Sequence, residues 1–309
     1  MSSPLENSIV KTLTYFDGFD LPLTQTELFA RLWQPPFVSF LEFTKFFENH
    51  TSNYWQSQDG FYFLAGRSEL IVSRNRHLLD SAASLKIARR AVKKIRSVPF
   101  LRAVFVCNSV GAGTARPDSD IDFLVVAEVG RVWIVRLFTN LILLFWRLRT
   151  HGHRDSQKIC LSFFVDKHNL DMANWRVVDD DIHFAYWLHQ MVPLYDEDNI
   201  YDKLITANRW ADKFLPNIKQ SYNYISGVVN SRVGKIWKII WEKFWTGAYG
   251  DLIEGQARQL QMVKLKSRLR DKINARDKGV VLGAGVIKLH EQDTRALWYS
   301  RWKEKTAKI

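Results

Sequence analysis

Two short apolar runs in the middle of the chain constrain its fold more than any other feature. LRAVFVC, from Leu101 to Cys107, and IDFLVVA, from Ile121 to Ala127, are rich in aliphatic and aromatic residues. NSVGAGTARPDSD, a stretch of small and turn-forming residues, separates them. Short apolar runs bounded by turn residues read as buried strands, so a sheet lies at the centre of the chain. The second strand opens on alternating acids. Side chains two apart on a strand share a face, so Asp120 and Asp122 point together while Ile121 and Phe123 face the packed side.

Two carboxylates side by side repel unless a cation or proton compensates, and hard oxygen ligands suit Mg2+ or Mn2+. Upstream, Asn108 and Ser109 precede Gly111, Ala112 and Gly113. Such a run can expose backbone amides and bring the main chain close to phosphate oxygens. Acids for a metal and amides for a polyphosphate complement each other.

The stretch NSVGAGTARPDSDIDFLVV resembles the signature of the DNA polymerase beta-like nucleotidyltransferase superfamily, which is Gly-Ser, a loop, then Asp-x-Asp. Asn108-Ser109 stands at the Gly-Ser place, Gly113 at the glycine that follows in many small members, and Ser119-Asp120-Ile121-Asp122 at their Ser-Asp-Ile-Asp. The resemblance implies a mixed sheet flanked by helices, with Asp120 and Asp122 as catalytic metal ligands and Asn108, Ser109, Gly111 and Gly113 around a bound nucleoside triphosphate. It implies transfer of a nucleoside monophosphate group to a hydroxyl acceptor, a nucleic acid or protein among the candidates. The chain around this core also resembles uncharacterised bacterial proteins that place a winged-helix-like region ahead of it.

Two departures from the family pattern stand out. Asn108 replaces the usual glycine, although asparagine tolerates unusual backbone angles better than most residues. Members that catalyse transfer also usually present a third carboxylate from a later strand, here KICLSFFVD from Lys158 to Asp166. Strand alternation would put Cys160, Ser162, Phe164 and Asp166 on one face, with Ser162 where the acid is expected and Asp166 roughly 13 Å further along. An alternative follows: a nucleotide- or nucleic-acid-binding regulator that keeps the core without its chemistry.

The rest of the chain supplies the frame. Thr24 with Glu27 and Ser39 with Glu42 have capping-box spacing and predict two helix starts, and Asp59-Gly60 between aromatic runs predicts a tight hairpin. Helix, helix and hairpin predict a winged-helix-like unit within residues 1–98. The helix after Ser39 carries Glu42 and Glu48 against Lys45, a poor set for phosphate contact, so packing is favoured over DNA binding. A long basic helix spans Arg67 to Ser97. The nucleotidyltransferase core covers 99–220, and 221–309 forms a basic, Trp-rich helical extension, giving an α+β chain overall.

In that extension KIWKIIWEKFW predicts an amphipathic helix packed by its tryptophans, with RNA or a membrane surface as the alternatives. The acidic run Asp179 to Asp181 predicts a helix N-terminus, Asn208 to Asn217 a further helix, and His151 and His153 exposed positions.

Charge and cysteines set outer bounds. With 44 Lys and Arg against 32 Asp and Glu, the net charge of +12 favours anionic partners. Cys107 and Cys160, the two cysteines, form no disulfide or zinc spacing and fit a reducing cytoplasm. The apolar stretch from Val132 to Leu148 is short for a bilayer span and contains Arg136 and Asn140, so it predicts a buried helix covering the sheet and no stable membrane insertion.

Overall fold

The computed structural model describes residues 3–149, 157–218, 227–274, 279–289 and 294–308. In chain order the elements are α1 (Pro4–Asp17), β1 (Leu23–Thr24), α2 (Gln25–Ala30), α3 (Phe40–Asn49), β2 (Trp55–Gln58), β3 (Phe61–Leu64) and α4 (Leu70–Ile95). Then follow β4 (Leu101–Val106), α5 (Asn108–Ala112), β5 (Ile121–Ala127), α6 (Val132–Phe145), β6 (Ile159–Asp166), α7 (Ile182–Gln190), β7 (Val192–Asp196) and α8 (Ile200–Ala207). The last are α9 (Arg232–Phe244), α10 (Gly247–Asn274), β8 (Val280–Leu282), β9 (Val286–Leu289) and α11 (Arg295–Ala307). The fold is mixed α+β.

The N-terminal elements form where the local signals place them. Both capping boxes are closed: Thr24 and Glu27 start α2, and Ser39 and Glu42 start α3. Reciprocal side-chain bonds there satisfy amides that any helix start leaves without an intrahelical partner. Asp59 and Gly60 both take positive φ, 52° and 79°, as a two-residue turn twisted to match its strands requires. The resulting hairpin, with β1 on its outer edge, makes a sheet in the order β1-β3-β2.

The large sheet runs β7-β4-β5-β6-β9-β8. β4 and β5 are antiparallel, whereas β5 and β6 are parallel and joined through α6. One face packs on α4, α6 and α10 through Val92, Phe123, Trp133 and Phe164. The other is covered by α7, α8 and the N-terminal unit, whose Phe16 and Trp33 share a single buried cluster with Phe105, Tyr186 and Trp302. Burial of this order, at ~25 cal/mol per Å² of apolar surface, is the main stabilising term.

Three expectations change. Residues 221–309 are not all helical, because β8 and β9 extend the large sheet beyond β6. Within Asn208 to Asn217 the helical structure is a single 3-10 turn, Arg209–Ala211, and Asn208 turns inward to bond Leu170 O and Leu204 O. α9 buries Gly234 and Lys238 and turns much of its apolar surface outward. The stretch from Val132 is a helix on the sheet as expected, with Arg136 buried and bonded to Gln261 at 2.6 Å. Among the described residues no helix is long and apolar enough to cross a membrane. His151 and His153 lie outside the described residues.

Candidate functional site

The site lies where β4 ends and β5 begins. Asp120 immediately precedes β5 and is exposed, and Asp122 is its second residue and half-buried. Ile121 and Phe123 are fully buried on the opposite face, so alternation assigns the two acids to the side away from α6. The loop leading into the pair is fastened at several points. Ala115 N donates to Ser81 Oγ at 3.1 Å, Arg116 pairs with Asp20 at 3.0 Å, and Arg116 N donates to Ser119 Oγ at 2.9 Å.

The upstream segment is a helical turn, α5, and not an extended loop. Asn108 sits in left-handed backbone at φ 55°, a region asparagine enters more readily than most residues. Its side chain bridges two elements: Nδ2 donates to Asp122 Oδ2 at 2.8 Å, and Oδ1 accepts from Trp187 Nε1 at 2.9 Å. The residue standing where the resemblance expects glycine thus holds an acid in place.

The glycines have backbone duties. A Cβ at Gly111 would sit 2.8 Å from both Gln190 O and Val106 O, so α5 could not lie against β4 and the end of α7 with any other residue. Gly113 closes α5 at φ 76°, with its amide directed to Val110 O at 3.3 Å. Gly111 N donates to Cys107 O at 3.4 Å. The amides of Gly111 and Gly113 therefore serve the turn, and those at the start of α5 are the ones a helix leaves available.

Electrostatics mark Asp122. Burial pushes its carboxyl up to about 6, and the charge of Asp120 adds to the effect against the hydrogen bonds from Asn108 and Cys160. Across the parallel pairing stands Cys160, not Ser162. Burial first, and then the negative charge of Asp122, push its thiol up to about 12, so Cys160 is a neutral donor beside the acid.

β6 departs from simple alternation. Its register with β5 steps from Asp122 and Cys160 to Leu124 and Phe163, which inserts one extra residue in β6. A bulge of this kind moves every later side chain to the other face. Phe164 accordingly packs on the α6 side with Ile159 and Leu161, while Phe163 and Val165 line the side of the acids. The expectation that Phe164 and Asp166 share a face with Cys160 is therefore corrected. Asp166 closes a turn by accepting from His168 N at 3.0 Å and from Asn169 Nδ2 at 2.7 Å. Among the described residues no cluster of three or more His, Cys, Asp or Glu side chains is arranged to hold a metal.

A cleft of about 330 Å³ that sequence reasoning missed opens beside Asn108 and Ser109. Its walls come from α1, α7 and α11, brought together from opposite ends of the chain. Phe19 stacks between His183 and Trp298, with ring centroids 5.9 and 5.1 Å away, and Tyr15 bonds His183 Nδ1 at 3.1 Å. Phe163 and Trp187 form the wall towards the sheet, and Lys288 and Arg295 bring positive charge. Stacked rings of this kind suit a planar or apolar group. The aromatic density of the sequence was visible, but this convergence depends on tertiary packing.

Comparison with known protein families, with curated proteins and with solved structures gives no match.

Proposed function

We propose that this protein transfers a nucleotidyl group from a nucleoside triphosphate to a hydroxyl-bearing acceptor. The observation that carries the reading is the pairing of Asp120 and Asp122 at the head of β5 with the Asn108-Ser109 turn of α5, tied by the bond from Asn108 to Asp122. Magnesium takes one or two carboxylates together with substrate phosphates and waters, a requirement that Asp120 and Asp122 fit. Bound there, it would supply charge neutralisation on the phosphates. Asp122 resists ionisation on its own, so a cation favours its charged form.

Ser109 and the first amides of α5 hold the phosphate tail, and the aromatic cleft receives the planar or apolar part of a substrate. The acceptor oxygen forms a bond to the α-phosphorus as the bond to pyrophosphate breaks, and the hydroxyl proton leaves to a base. The order α1-β1-α2-α3-β2-β3 supports a winged-helix reading of the N-terminal unit, which docks a partner through packing surfaces because α3 is acidic.

Magnesium-dependent pyrophosphate release across a panel of triphosphates tests the reading. Asp120→Asn and Asp122→Asn are each expected to lower release by about a hundredfold or more. Full activity in either variant removes the assignment. A second reading, a nucleotide-binding regulator without turnover, is favoured by one observation: Cys160, not an acid, faces Asp122 on β6. Calorimetry showing triphosphate binding without product would select it.

A further inference from the structure

α9 is an amphipathic helix mounted with its polar side inward. Lys238 reaches Leu101 O, Tyr195 and Glu197, and Glu242 takes Phe100 N at 2.6 Å and Arg102 at 2.8 Å. Ser97 Oγ also bonds Asn230 at 2.9 Å just ahead of the helix. This buried network fixes the rotation of α9 about its axis. The opposite arc, Val233, Ile236, Trp237, Ile240 and Phe244, follows helical spacing and faces solvent, from 46% exposed at Ile240 to 77% at Val233.

The apolar surface continues beyond the helix. Trp237, Trp241 and Trp245 line a groove of about 450 Å³ with Phe138 and Ile142 of α6. At the groove's far side the end of α6 exposes Phe145 and Trp146, and Lys94 lies 3.4 Å over the Trp146 ring. The charged residues of α9 that face solvent, Arg232, Lys235 and Lys243, are all cationic, because its acid, Glu242, is engaged with Arg102. Lys93 and Lys94 add to the same sign on α4.

We propose that this face lies on an anionic phospholipid surface, with the α9 arc and the end of α6 at the acyl boundary and the lysines and Arg232 among the phosphates. Exposed aromatic and aliphatic residues with flanking cations have the composition of an interfacial helix, and tryptophan favours that depth. A second copy of the chain fits less well, since a twofold contact through this face would set the same cations against one another. The inference is independent of any chemistry at Asp120 and Asp122.

Flotation of the full chain with vesicles tests it. With phosphatidylcholine mixed with phosphatidylglycerol the protein is expected to rise with the lipid and its tryptophan emission to shift to the blue, and with phosphatidylcholine alone it stays below. The double variant Ile236→Glu and Ile240→Glu, at exposed positions, is expected to lose more than about tenfold of the partitioning with its circular dichroism melt unchanged. Lys235→Glu and Lys243→Glu are expected to weaken binding by at least roughly fivefold each. The proposal is overturned by a parent protein that does not float, that floats equally on neutral lipid, or whose flotation survives the double variant. It is also overturned if the parent is a dimer that the double variant separates, which would assign the face to a second copy.

Discussion

α6 and α9 look like two versions of one helix and are used in opposite ways. Both are rich in aromatic and branched residues with arginine or lysine nearby. α6 lays Trp133, Val135 and Leu143 on the sheet, whereas α9 lays Lys238 and Glu242 there and turns Ile236 and Ile240 to solvent. The difference shows that amphipathy fixes a helix's two faces without fixing which one is buried. For α9 the decision is made by Arg102 and Glu197, far away in sequence, whose charges need partners when the sheet edge is covered.

The largest effect expected from breaking that contrast is on α6. Trp133→Ala should cost about 4 kcal/mol in denaturant unfolding, because the cavity opens under the sheet where little can collapse into it. Trp237→Ala, the corresponding change on α9, should lie within about 0.5 kcal/mol of the parent. Equal costs for the two would mean that α9 is packed by its tryptophan face after all.

Next in size is Arg102→Ala, which strips the cationic partner from Glu242, leaving it the bond from Phe100 N, and weakens the hold on Glu128. Removing one side of a buried ion pair is expected to cost about 3 kcal/mol, and hydrogen exchange should rise in α9 well before α6. Uniform exchange across both helices would show that the network does not single out α9.

A smaller effect should appear at the acids. The folded value of Asp122, about 6, lies above that of an unfolded aspartate at about 3.9. The folded state therefore binds more protons between these values, and this group's contribution to stability declines as pH rises from about 4 to about 6, then stays flat. Asp122→Asn should be the more stable form above pH 6, with its margin shrinking on acidification through that window in thermal melts. A margin that grows on acidification would reverse the sign assigned to this carboxyl.

What could be read from the sequence was local. Thr24, Ser39 and Asp59-Gly60 act through neighbours within a few residues, and each forms the cap or turn its chemistry dictates. The acids on β5 and the small residues of α5 were equally visible, although what Gly111 does depends on Gln190, which approaches from α7. The extra residue in β6 left no mark in KICLSFFVD, because apolar residues on both faces hide a change of phase. β8 and β9 are three and four residues long, too short for a periodic signal, and they gain stability because β9 pairs with β6 and β8 with β9.

The meeting of α1 with α11 has a consequence for how the molecule is made. Trp302 Nε1 donates to Lys11 O across 291 positions, and Phe19 stacks on Trp298 beside the aromatic cleft. A segment synthesised early must therefore wait, with Phe19 lacking its stacking partner and Lys11 O its donor, until one synthesised much later arrives to close over it. Biogenesis of this chain should lean on chaperones that shield apolar surface during translation, and a ribosome stalled before α11 should hold a polypeptide whose cleft lacks the wall that α11 provides.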